Sequence, residues 1–209
     1  MPPSFLALAL AFAAAVSIRT PVAVQVADEL ADRRLAYLAA RSATMKQVLD
    51  VLERTPAISV RLRANPMLWR ETSRKAAGRF WRGDARVIVL LQFDSASARP
   101  IEQIESVAHE MAHAVEVACL PRAIEIDGLV GQMLRRGHPV ASAKGLAVET
   151  PFAQHAGREM FTEALRGRPA IGRLRELAEK YNLGPPCVDL AREARTVTAS
   201  KIGSSRMAR

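Results

Sequence analysis

The sequence predicts an α+β domain in which a short sheet packs on a long central helix, and three observations carry that reading. Ile58-Ser59-Val60-Arg61-Leu62-Arg63 alternates apolar and polar side chains, the period-two signature of a half-buried strand. Val87 to Phe93 (VIVLLQF) is apolar on both faces, which predicts a central or covered strand. Phe80-Trp81 before Gly83-Asp84 predicts its hairpin partner, with Gly-Asp as a two-residue type II′ turn. Residues 26–40, 44–52, 100–120, 127–136, 149–166 and 171–181 carry apolar residues at helical spacing instead. At 209 residues, 49% hydrophobic and 24% charged, the chain is long and apolar enough for one domain with a real core.

The chain begins with an uncharged run of 14 residues, Phe5 to Ile18 (FLALALAFAAAVSI). It is too short for the roughly 20 residues of a spanning helix and the right length for a signal-peptide core. Ala15-Val16-Ser17 offers a small-x-small cleavage site, with others nearer Ala23. The expected division is a signal peptide at 1–23, a folded domain at 24–183 and a solvated basic tail at 184–209. The mature protein is then exported, periplasmic or secreted, with no stable membrane span.

Within the domain, Val26 to Ala40 and Thr44 to Leu52 are expected helices, broken near Arg41-Ser42 and ended by Pro56. Asn65-Pro66 marks a turn, and the stretch to Lys75 reads as irregular or as a short helix. The loop Asp94 to Arg99 leads into the long helix, where Pro100 suits the first position and Glu102 the positive end of the dipole. Leu120-Pro121 stops it. Gly137 is expected to cap the helix 127–136, with His138 in a surface loop and Ala141 to Gly145 as a linker. Glu149 to Arg166 reads as a strong helix opened by Thr150-Pro151 and closed by Gly167, and Ile171 to Tyr181 as one more. Cys119 and Cys187 either pair, tying the end of the long helix to the C-terminal segment, or remain free and buried.

The long helix carries Ser106-Val107-Ala108-His109-Glu110-Met111-Ala112-His113-Ala114-Val115-Glu116. His109 and His113, at i and i+4, share a helix face and can converge on one Zn²⁺ at roughly 2.0–2.1 Å each. Glu110 lies about 100° round the helix, badly placed for the inner sphere but able to reach a water held there and take its proton. The residues at 107, 108, 111, 112, 114 and 115 are uncharged, so the imidazoles sit on a buried helix and need a partner.

These residues resemble the HExxH signature of the zincin metallopeptidases, which also asks for uncharged neighbours and an apolar residue two places after the second His, here Val115. The match covers about ten residues, and Ser106 stands where that family more often has Val or Thr. The metzincin extension is broken, with Glu116 in place of its Gly and Cys119 in place of its third His. What remains is similar to the gluzincins, whose third ligand is a Glu on a later helix. The resemblance implies a zincin-like fold and a zinc-dependent hydrolase, a peptidase, with Glu110 as general base. A sheet ahead of the motif helix is the order that the zincin fold has. The alternative is a non-catalytic zinc-containing binding or structural protein of the cell envelope.

The downstream candidates for the third ligand are Glu116, Glu125, Asp127, His138, Glu149, His155, Glu159 and Glu163. Glu116 is about 10 Å along the same helix from His109 and suits the orientation of an imidazole, or a surface salt bridge, better than ligation. Glu149 is favoured, because Ala153 and Gly157 follow it at i+4 and i+8 and let another backbone approach. The expected metal set is therefore His109, His113 and Glu149. His155 is the residue on this helix better placed to face substrate.

The formal net charge of +9 raises nucleic acid or an anionic membrane as partners. However, the excess comes from 25 Arg against five Lys spread along the chain, and aromatic residues make up only 5%. With little for bases to stack on and no nucleic-acid motif, a peptide or protein substrate is the expected partner, and no dedicated nucleic-acid binding is expected.

Overall fold

The computed structural model describes residues 24–83, 86–120, 126–142, 145–167, 171–184 and 188. It is an α+β structure built on a four-stranded mixed sheet. The strands are β1 (Val24–Val26), β2 (Ile58–Asn65), β3 (Ala76–Arg82) and β4 (Val87–Asp94), in the order β1-β2-β4-β3. β1, β2 and β4 run parallel, and β3 closes the edge antiparallel to β4. Register sets the inner face: Val60 lies opposite Val89 and Leu62 opposite Leu91, and all four are buried. β4 is central, as its apolar run predicts. The hairpin differs from expectation at Gly83, whose N–H donates to the Arg86 carbonyl, while residues 84–85 lie outside the described residues.

β1 was not expected. Val24–Val26 lies in residues that helical spacing assigned partly to the first helix, and it is a strand because β2 offers it a parallel edge. The helix α1 is Glu29–Arg41, started by Asp28, whose one carboxylate oxygen caps Ala31 N while the other accepts from Ala64 N of β2. α2 (Ala43–Glu53) is capped by Ser42 and buries Met45, Val48, Leu49 and Leu52. The short α3 (Leu68–Thr72) fills the turn after β2.

The long helix α4 (Pro100–Ala118) has Pro100 in its first turn, and Glu102 there accepts from Arg99 N. It is buried almost all round, the pattern of a helix through the middle of a core. Val107, Met111, Ala114 and Val115 are completely inaccessible, and each of the larger ones contributes about 1.5–3 kcal/mol by leaving water. Buried Cys119 ends α4 and is disulfide-bonded, whereas Cys187 lies outside the described residues.

Beyond α4 the structure corrects three boundaries. After α5 (Ile126–Arg136) the chain forms a hairpin, β5 (His138–Ser142) with β6 (Gly145–Glu149), where a surface loop and a linker were expected. His138 is exposed, on a strand. The Gly137 position is needed for approach: a Cβ there would lie 2.2 Å from the Glu149 carbonyl oxygen. Glu149 is the last residue of β6, and α6 is Pro151–Arg166. Thr150 caps it in an extended conformation, the one that a following proline favours, so the helix cannot include Glu149. Gly167 at φ 63° ends α6, and α7 (Leu174–Lys180) is shorter at both ends than its expected span. The proposed leader at 1–23 and, apart from residues 184 and 188, the tail at 184–209 lie outside the described residues. Among the described residues no helix is long and apolar enough to cross a membrane.

Candidate metal centre

α4 presents His109 and His113 on one face, with ring centroids 4.9 Å apart and planes nearly perpendicular. α6 packs directly over them. Gly157 makes that packing possible, because a Cβ there would come 2.8 Å from His109 Cα. The close approach brings the end of β6 alongside α4. His109 Nε2 lies 3.2 Å from Glu149 Oε2, and His113 Nε2 lies 3.7 Å from Glu149 Oε1. The three donor atoms are all within 4.8 Å of one another, and among the described residues no other His, Cys, Asp or Glu group converges in this way.

The donor set suits zinc. A tetrahedral site with bonds of about 2.1 Å puts ligand atoms about 3.4 Å apart, and the two histidine–carboxylate separations, 3.2 and 3.7 Å, bracket that spacing. Two imidazoles and one carboxylate leave the fourth direction free. Both Nε2 atoms face the same carboxylate, so each ring offers the same nitrogen.

Electrostatics reflect this crowding. Burial works against the charged form of His109, but its hydrogen bond to Glu149 and the charges of Glu110, Glu149 and Glu105 outweigh that, and its pKa is raised. Burial likewise works against ionised Glu149, yet the His109 hydrogen bond and the two imidazoles hold its pKa down. Glu110 goes the other way. Burial raises its pKa despite the opposing pull of His113 and His109.

Glu110 is 6% exposed, and its Oε2 has no hydrogen-bond partner among the described residues. That oxygen sits under β3, where a Cβ on Gly78 would lie 2.8 Å from it. The glycine leaves the space that the carboxylate needs. A groove of about 470 Å³ opens beside His109, lined by Lys75, Glu102, Glu105, Gln154 and Arg158 among others.

The remaining candidates fall elsewhere. Glu116 is buried one turn beyond His113 and accepts from Thr150 Oγ1 at 2.7 Å. His155 is exposed and contacts the Tyr181 hydroxyl, so it does not face the groove that borders His109. Glu159 pairs with Arg173. Glu163 is buried among Ser42 and Thr44. Glu125 lies outside the described residues, as does the side chain of Asp127. Sequence reasoning had no signal for the part played by Thr150 or Gly78, because each matters only through a neighbour distant in the chain. Comparison with known protein families, characterised proteins and solved structures finds no match to this chain.

Proposed function

We propose that this chain is a zinc-dependent hydrolase with a zincin-like fold, acting on peptide or protein amides. The observation that carries the proposal is a buried carboxylate oxygen of Glu110 that has no hydrogen-bond partner among the described residues and lies beside three convergent donors. His109, His113 and Glu149 would hold the metal, which supplies Lewis acidity toward a water and a substrate carbonyl. Glu110 has a raised pKa and a free oxygen, so it suits a base that takes a proton from water and hands it on to the leaving nitrogen. The groove beside His109 is where a substrate would lie. Amides are named as the substrate because the motif resembles that of peptidases. A purely structural zinc site is normally closed by four nitrogen or sulfur ligands and has no use for such a carboxylate.

Elemental analysis of the purified full-length chain tests the reading. Wild type should carry close to one zinc per chain and His109→Ala very little, and chelation should stop release of new amino groups from a mixed peptide pool. A wild-type chain that takes up no zinc overturns the proposal. Export through residues 1–23 belongs to the same proposal, and mass spectrometry of the mature N-terminus decides it.

A further inference from the structure

Glu116 is a charged residue in the core with no part in the chemistry above. It is 1% exposed in the C-terminal half of α4, flanked by buried Val115 and Val117. An ionised carboxylate in such a place is stable only if donors surround it. Thr150, itself fully buried, supplies one. A threonine hydroxyl has a single proton and two lone pairs. This oxygen accepts from Ala153 N at 3.1 Å, which caps α6, so its proton goes to Glu116 Oε2 at 2.7 Å. One hydroxyl thus joins α4 to the first turn of α6, at the residue that follows Glu149.

The same Glu116 oxygen lies 3.6 Å from His113 Nδ1. That nitrogen is buried and makes no hydrogen bond among the described residues. His113 Nε2 is the atom facing Glu149. For Nε2 to offer its lone pair, the proton of a neutral ring must sit on Nδ1, where it needs an acceptor. Closing 3.6 Å to the roughly 2.8 Å of a charge-assisted hydrogen bond takes a movement under about 1 Å. Among the described residues His113 is the only basic side chain within salt-bridge distance of Glu116.

We propose that Glu116 and Thr150 form a positioning pair, in which Glu116 fixes the tautomer and angle of His113 while Thr150 holds Glu149 at its working distance. This inference rests on the metal-centre reading. Its test is Co²⁺ titration of the metal-stripped, full-length chain, read as affinity and as the visible absorption band of the bound ion. Glu116→Gln and Thr150→Val should each weaken Co²⁺ binding about 10- to 100-fold and alter the band. Thr150→Ser keeps the hydroxyl and should match wild type in both. Should Glu116→Gln fail to fold, the contrast between Thr150→Val and Thr150→Ser still decides. Wild-type affinity and band in both Glu116→Gln and Thr150→Val overturn the pairing, and so does a Thr150→Ser as weak as Thr150→Val. A wild-type chain that binds no Co²⁺ overturns the metal-centre reading and this inference together, so the two failures are told apart.

Discussion

Glu163 on α6 and Glu110 on α4 are almost equally buried, 4% and 6% exposed, and their surroundings are opposite. Glu163 accepts from Ser42 Oγ at 2.6 Å, Thr44 Oγ1 at 2.8 Å and Thr44 N at 3.0 Å, so both of its oxygens are occupied. It pins the junction of α1 and α2 to α6. Among the described residues Glu110 keeps an oxygen with no hydrogen bond, and Gly78 of β3 lies in front of it. A carboxylate that serves the fold is saturated with donors. On the proposed reading Glu110 exchanges protons and so cannot be, and the fold would carry the cost of leaving it open.

The largest expected effect lies on the open side of this contrast. Glu110→Gln should keep bound zinc and lower hydrolysis by about 10²-fold or more, because an amide cannot accept the proton. Unchanged turnover on any substrate that the chain cleaves would sink the role. On the saturated side, Glu163→Ala should cost about 2–3 kcal/mol in urea unfolding, since three donors lose a charged acceptor. A loss below about 0.5 kcal/mol would erase the contrast. Smaller and opposite in sign, Glu110→Gln should stabilise the metal-free chain in urea unfolding, because burial disfavours the charged form of this carboxylate.

The smallest effect is in pH. The pKa of Glu149 is below its ordinary 4.5 in the folded chain, so its contribution is present above 4.5 and lost as pH falls. That of His109 is above its ordinary 6.5, so its contribution is present below 6.5 and lost as pH rises. Melting of the metal-free chain should therefore show the His109–Glu149 pair in full between 4.5 and 6.5. Adding His109→Ala should lower stability most in that window, and an equal loss at pH 8 would contradict the assignment.

The motif helix and its two histidines were legible because their geometry is local: i and i+4 meet wherever a helix forms. The central strand was legible because seven consecutive residues without charge have few other places to go. Glu149 was reached from the small residues Ala153 and Gly157, and Gly157 is indeed where α6 meets His109, although Glu149 itself ends a strand. β1 escaped because three residues carry no period of their own and gain a partner only from β2. The β5–β6 hairpin escaped for the same reason, its small residues reading as a linker. The bonds of Glu116 and Glu163 span 34 and 121 residues, and no local pattern announces them.

The distribution of the three donors along the chain also orders their assembly. The two imidazoles come into alignment as soon as α4 coils, with no tertiary structure required. Glu149 is reached along the chain only through α5 and the β5–β6 hairpin, so a long loop must close to bring the third donor into place. A metal held by all three would tie that excursion down, and part of its binding energy would become resistance to local unfolding of α5, β5 and β6. An opening of that segment would remove the carboxylate and leave the histidine pair intact.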